Sequence, residues 1–230
     1  MDKLQESSVY NPEQVQELKK LVARGEGLTL EFKRKATNPE KIVREMIAFA
    51  NTQGGVLLVG IGDDKTIPGL KFPEDESYVI QQALKNCKPG LLFTETFIPI
   101  GDNRIVIQYD IPESTRKPHT LLLADNVKEC YVRAEDMSIK ASREVREIIQ
   151  RAQKKKDIKF YYGEYETLLM KYLDENSSIT LKQFMEVAKL NRFRASKKLV
   201  LLVLANVLRV TPGEKGDIYS LAFHQSPKKS

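Results

Sequence analysis

Along the first sixty residues the apolar positions change period three times. Val15, Leu18, Leu21 and Val22 recur at three- and four-residue spacing, the stripe of an amphipathic helix. Asn11 as a cap and Pro12 in the first turn place its start, and the helix is expected over 11–24. Leu28, Leu30 and Phe32 then alternate with Thr29, Glu31 and Lys33, the period of a half-buried strand. Asn38-Pro39-Glu40 opens a second helix whose inward residues are Ile42, Val43, Met46, Ile47 and Ala50. Residues 56–61 form an unbroken apolar run, expected as a central strand. Between the two, Gly54-Gly55 lets the helix end and the chain turn at once, because glycine takes the left-handed conformation without a Cβ clash.

A third helix is expected around 77–88. Strands are expected at 93–99 and 104–111, joined by a Gly101-Asp102-Asn103 turn, then short strands at 120–123 and 130–133. A helix at 142–153 closes a first domain, placed at 12–153. The run Lys154-Lys155-Lys156-Asp157 reads as a charged linker. Beyond it the rhythm changes to an amphipathic helix at 164–175, a short helix capped by Ser178-Ile179-Thr180 and ending at Ala188, and a longer one from Asn191 through Asn206. Two strands, 208–211 and 218–221, flank the turn-rich Pro212-Gly213-Glu214-Lys215-Gly216. Three helices followed by a hairpin is the order of a winged helix-turn-helix domain, placed at 160–224. No internal repeat is evident.

Composition narrows the class. A chain of 230 residues with 41% hydrophobic and 30% charged residues suits a globular protein of one large or two small domains. The longest apolar run, residues 199–208, is too short to span a bilayer. The N-terminus lacks the succession of basic, apolar and small residues that marks a signal peptide. Cys87 and Cys130 have no metal-ligand spacing, which argues against a disulfide framework or a zinc site and favours the cytoplasm. The net charge of +6 is unevenly placed: residues 1–150 hold 21 Lys/Arg against 23 Asp/Glu, and residues 151–230 hold 16 against 8. The basic excess therefore lies in the last third, where it can attract a polyanion or serve as a solvated surface.

The run Ala48-Phe49-Ala50-Asn51-Thr52-Gln53-Gly54-Gly55, the strand ending in Gly60-Ile61-Gly62-Asp63-Asp64, the upstream Glu31-Phe32-Lys33, and the downstream Lys117-Pro118-His119 and Tyr131-Val132-Arg133 together resemble the Schlafen-type, Alba-like domain. The resemblance covers about residues 15–150. It implies an α+β fold with a mixed sheet and helices, and a DNA-binding role. In the eukaryotic Schlafen proteins that act as RNA nucleases, a Glu-x4-Glu-Phe-Lys run and an Asp after the equivalent strand form a three-carboxylate site. Glu26, Glu31 and Asp63 are the matching positions here, with Gly62 leaving Asp63 and Asp64 both open. Clustered carboxylates hold Mg²⁺ or Mn²⁺ for phosphodiester cleavage. The competing reading pairs Glu31 with Lys33 or another base and gives the aspartates to a turn leading to Gly69.

Other chemistry finds little footing. No Gly-x4-Gly-Lys-Ser/Thr loop occurs, so the phosphate cradle of an ATPase is missing. Gly60-x-Gly62 lacks the third glycine and following helix of a dinucleotide fingerprint. His119 and His224 have no serine or cysteine partner at a recognisable spacing, and a lone loop histidine such as His119 reads as surface decoration. On the helix beginning at Asn191, Ala195, Leu199, Leu202, Val203 and Asn206 fall on one face at 100° per residue. Arg192, Arg194, Lys197 and Lys198 are the candidate nucleic-acid contacts of this helix, with Lys215 at the wing tip. Leu201 and Leu204 also point outward and fit packing on the first domain or on a second copy of the chain. The expectation is an α+β, Alba/Schlafen-like domain followed by a winged helix, binding nucleic acid, foremost duplex DNA, as a bacterial transcriptional regulator without a cofactor. The alternative is a metal-dependent ribonuclease using Glu26, Glu31 and Asp63.

Overall fold

The side chain of Asn11 caps α1 (Pro12–Arg24), accepting from the backbone N–H groups of Glu13 and Gln14, and the helix buries Val15, Leu18 and Val22. A computed structural model describes residues 10–153 and 161–223; the charged run at 154–157 and His224 lie outside them. After α1 come β1 (Leu30–Lys33) and α2 (Pro39–Asn51), the latter capped by Asn38 at the Lys41 N–H. β2 (Gly55–Val59) lies parallel to β1, with Leu30 opposite Val56 and Phe32 opposite Leu58. Parallel neighbours need a crossover connection, and α2 supplies it. α3 (Pro73–Leu84), β3 (Cys87–Lys88), β4 (Thr94–Gly101) and β5 (Arg104–Ile111) follow. β5 pairs antiparallel with both β2 and β4, giving a mixed sheet in the order β1-β2-β5-β4. β2 is thus an inner strand, as its unbroken apolar run predicts.

Each face of this sheet carries its own core. α1 covers Phe32, Leu58, Ile98 and Val106 on one side. On the other, Ile42, Met46 and Phe49 of α2 and Ile80 of α3 pack against Leu57, Ile107 and Tyr109. α2 is buried on its far flank as well. There Val43, Ile47 and Ala48 meet Cys87, Leu121 and Tyr131, supplied by β3, β6 (Thr120–Leu122) and, beyond β7 (Lys128–Glu129), by β8 (Tyr131–Ala134). β3, β6 and β7 form a small sheet of their own. Beyond its first turn α2 is covered on more than one flank and so carries apolar residues beyond a single stripe, which is why Ala48 and Phe49 are as buried as the expected stripe.

The chain divides into two units, residues 1–138 and 139–230. The division falls within β9 (Met137–Lys140). The second unit contains α4 (Arg143–Ala152), α5 (Glu164–Asn176), β10 (Ser178–Thr180), α6 (Leu181–Ala188), α7 (Arg192–Leu204), β11 (Leu208–Thr211) and β12 (Ile218–Leu221). Its three strands are antiparallel in the order β10-β12-β11. Leu169, Leu173, Phe184, Leu199, Leu202 and Tyr219 lie in its core. α4 packs against α7, so the domain boundary expected at 153 differs from the structural division by one helix.

Other expectations shift in detail. α3 starts at Pro73 rather than near Ser77, because proline suits the first helical position and Glu74, Asp75 and Glu76 complement the helix dipole in the first turn. α7 stops at Leu204, and Asn206 sits beyond it in the left-handed region at φ +57°. Strands β3, β7 and β10 span two or three residues, too few for a period to show. Among the described residues no helix is long and apolar enough to cross a membrane.

The α2–β2 junction leaves no room for a side chain at either glycine. Gly54 has φ +78°, and a Cβ there would lie 2.7 Å from the Ile111 carbonyl oxygen and 2.8 Å from the Glu113 nitrogen. A Cβ on Gly55 would fall 2.4 Å from Cδ1 of Phe49. Gly54→Val is therefore expected to lose about 2 kcal/mol or more, from the left-handed backbone together with the backbone clash. Gly55→Val displaces a fully buried ring. Thermal melts of both variants that overlay the parent would show the junction to be misread.

Candidate functional site

The motifs singled out in the sequence converge on one buried cation. Arg133, on β8, is 3% exposed. Its NH1 donates to Glu31 Oε2 of β1 at 3.0 Å and to Glu45 Oε2 of α2 at 2.8 Å. NH2 donates to the Gly27 carbonyl, and the guanidinium lies 4.8 Å from the centre of the Phe49 ring. Lys33 donates to the second Glu31 oxygen, Oε1, while Ser138 donates to Glu45 Oε2. Glu31 and Glu45 are 7% and 6% exposed. Two carboxylates in so dry a place need a cation with several planar donors, and arginine supplies that geometry.

Glu26 and Asp63 stand at the edge of this network. The Glu26 carboxylate accepts the Phe32 N–H at 2.8 Å. Partial burial raises it above the ordinary range; the Phe32 hydrogen bond and Lys33 oppose this, while the charges of Glu31 and Asp63 add to it. Glu26 therefore feels the charge of the other two carboxylates of the expected site. Glu31 has both oxygens held by cations, and one oxygen of Glu26 accepts from the backbone. Among the described residues no group of three or more His, Cys, Asp or Glu side chains is placed to hold a metal ion. Asp64 belongs to a turn, accepting from the Thr66 N–H at 3.1 Å and its hydroxyl at 2.6 Å, and these bonds keep its carboxyl low.

A second hub sits one helical turn's end away. The Asn51 amide accepts the His119 N–H at 2.8 Å and donates to the carbonyls of His119 and Tyr131, both at 2.9 Å. Thr52 Oγ1 accepts the Arg133 N–H, and Lys117 donates to the Thr52 carbonyl. Residues Asn51 and Thr52 thus tie α2 to both downstream motifs. His119 is 2% exposed, a correction to its reading as surface decoration. Its Nδ1 faces the Pro89 carbonyl at 2.7 Å, so that nitrogen carries the proton, and Nε2 accepts from Ser114 Oγ at 2.7 Å. Burial lowers its pKa, the Pro89 bond opposes this, and Arg116 and Lys117 add to the lowering.

Sequence reasoning passed over Glu45 and the pairing role of Arg133, quoted Asn51 without assigning it a role, and placed His119 at the surface. A signal existed for two of them. Glu45 interrupts the apolar stripe Ile42–Met46–Phe49, and Arg133 follows Tyr131 and Val132 in a short apolar strand; a charge on a buried face implies a buried partner.

In the second unit, Asn191 caps α7 through the Arg194 N–H. Arg192, Arg194 and Lys197 are exposed on this helix, and Lys215 is exposed in the turn between β11 and β12. Among the described residues none of the four has an ion-pair partner. Lys198 differs: its ammonium bonds Glu166 Oε1 at 2.5 Å and lies 5.1 Å from the Tyr165 ring centre. Leu201, expected to point outward, lines an apolar recess of about 250 Å³ with Tyr161, Tyr165 and Leu190.

Arg133→Met is expected to destabilise the chain by about 3 kcal/mol or more, since it leaves buried Glu45 without a cation and Glu31 with Lys33 alone. Adding Glu45→Gln should recover part of that loss in urea melts; no recovery would mean that the ion pair is incidental. His119 supplies a pH test. The unfolded chain titrates near 6.5 and the folded chain below it, so acidification through that window protonates the unfolded chain first and stability falls. The drop in melting temperature from pH 7 to pH 5 should be smaller in His119→Gln than in the parent.

Residues 26–142 match the family described as Schlafen, AlbA_2. No curated protein matches the chain. Among solved structures, the DIP2311 protein of Corynebacterium diphtheriae is similar at 19% identity and a TM-score of 0.42, over 60% of this chain and 32% of that one. The chain thus spans about a third of that protein's length. The family match takes in β1, α2, β2 and β8, the elements that carry Glu31, Glu45, Asn51 and Arg133, and extends over just over half of the sequence: the chain belongs to the Schlafen, AlbA_2 family.

Proposed function

We propose that the protein binds nucleic acid and acts as a DNA-binding transcriptional regulator in the cytoplasm, with residues 160–224 serving as a winged helix-turn-helix. Membership in the Schlafen, AlbA_2 family suggests nucleic-acid binding. The observation that supports the finer reading is the set of exposed cations on α7 and the β11–β12 turn, Arg192, Arg194, Lys197 and Lys215, which have no ion-pair partner among the described residues. They stand in the part of the chain that holds the whole positive excess. The order α5, α6, α7 and then the β11–β12 hairpin supports α7 as the helix presented to a major groove and the hairpin as the wing. Phosphate contacts from these residues supply affinity and position the helix, while base contacts would have to specify the target.

Lys198 has a supporting role in this reading, because its charge is spent on Glu166. The ribonuclease alternative gains nothing from the geometry, since Glu31 is committed to Lys33 and Arg133. The acidic cluster serves instead to fix β1, α2 and β8 relative to one another.

Duplex DNA titrated at several salt concentrations should show log Kobs falling with log salt at about −0.9 per phosphate contact, near −3.6 for about four contacts. Replacing Arg192, Arg194, Lys197 and Lys215 by Ala should flatten that slope and weaken binding at least about tenfold, with the melting curve unchanged. Glu26→Gln with Asp63→Asn should leave DNA affinity within about threefold of the parent. Salt-independent binding, or none, would remove the regulator reading. RNA cutting with Mn²⁺ that disappears in the Glu26/Asp63 variant would replace it with the nuclease.

A further inference from the structure

Within the second unit, a cavity of about 460 Å³ opens between the start of α4, the start of α6, the start of α7 and the β11–β12 turn. Burial grades its lining from floor to mouth. Glu144 and Tyr219 are 3% and 0% exposed, and Asp217 is half-buried. Asp217 and Tyr219 are two apart on the strand that leads into β12 and so share a face. Leu181 and Met185 of α6 form the apolar wall, while Arg192, Lys182 and Lys215 stand exposed at the rim.

The floor is unbalanced in charge. Asp217 accepts from Ser142 Oγ at 2.5 Å and Glu144 from Ser196 Oγ at 2.7 Å. Among the described residues neither carboxylate has an ion-pair partner. The Tyr219 hydroxyl is fully buried and has no hydrogen-bond partner among them either. The charges of Asp217 and Glu144 both reach it and, after burial, raise its pKa. Burial, and then Glu144, also hold the Asp217 carboxyl above its ordinary range, against the bonds from Ser142 and Gly213. Buried carboxylates without a cation are costly. Nothing in the described protein supplies one here, unlike the Glu31–Arg133–Glu45 cluster of the first unit.

We propose that this cavity binds a small organic zwitterion, with its ammonium seated on Asp217, Glu144 and the Tyr219 hydroxyl and its acidic group turned to Arg192, Lys182 and Lys215. An ammonium has three N–H donors and no acceptor, which matches three oxygen acceptors on the floor. The acidic end meets three exposed cations, none with an ion-pair partner among the described residues, and the N-terminal ends of α6 and α7, where backbone N–H groups favour negative charge. A simple amine would leave the rim unanswered, and a simple acid would meet the two carboxylates below. Arg192 and Lys215 are also assigned to DNA phosphates above, so on that reading the zwitterion competes with DNA and acts as an effector.

Isothermal titration of the full chain with 4-aminobutyrate and 5-aminovalerate tests the site, with butylamine and butyrate as singly charged controls. At least one amino acid is expected to bind with Kd below about 1 mM, and both controls at least about tenfold more weakly. Asp217→Asn should weaken binding about tenfold, and Tyr219→Phe about threefold. Lys215→Ala, at an exposed turn where folding is not at stake, should also weaken it. No heat with either amino acid at about 10 mM, or equal binding by the controls, would overturn the site. So would undiminished affinity in both Asp217→Asn and Lys215→Ala. The DNA reading fails separately: a chain that binds the zwitterion but no duplex keeps the site and loses the regulator. A chain that binds both without mutual effect loses the competition.

Discussion

The first unit is organised around the burial of one guanidinium. Arg133 comes from β8, its carboxylate partners from β1 and α2, and the aromatic face beneath it from α2. No two of these elements could take up their positions with the third missing, because each arrangement would strand a charge in the core. The sheet order and the enclosure of α2 follow from the same demand. β1 and β2 are parallel with α2 between them, and β8 must close over the flank of α2 that the sheet does not cover. Asn51 reinforces that closure with three hydrogen bonds to the backbone of residues 119 and 131.

Much of this was legible in the chain itself. The stripe of α1, the run of β2, the Gly54-Gly55 junction and the turn at residues 101–103 each come from local rules, and each stands where those rules place it. What local rules missed is long-range. For Glu31 both a carboxylate site and a pairing with Lys33 or another base stood open, but that other base, Arg133, lies 102 residues away where no local rule reaches. His119 looked exposed because loops usually are; the Asn51 amide and the Pro89 carbonyl, neither of them near in sequence, draw it inside. Glu45 shows the intermediate case, visible as an anomaly in an apolar stripe but with no means of naming its partner.

The two units answer the same physical problem in opposite ways. In the first, buried carboxylates are neutralised from within, and the result is rigidity. In the second, Glu144 and Asp217 have hydroxyl and backbone partners but no cation among the described residues, while Arg192, Lys182 and Lys215 stand at the opening of the cavity they line. Charge that a protein does not balance internally is available to something else, and that asymmetry separates an acidic cluster that holds a fold from one that can recognise a ligand.

The separation of Arg133 from its partners also bears on how the chain is made. Synthesis runs from the N-terminus, and Glu31 and Glu45 leave the ribosome 102 and 88 residues ahead of the arginine that neutralises them. Until that residue emerges, a nascent chain that docked α2 on its sheet would have to desolvate Glu45 without a cation and Glu31 with Lys33 as its one base. The charge pairing of the first unit is therefore completed by one of its last strands, β8. A chain that stops short of β8 lacks both the cation for Glu45 and the Tyr131 side chain that packs on the flank of α2.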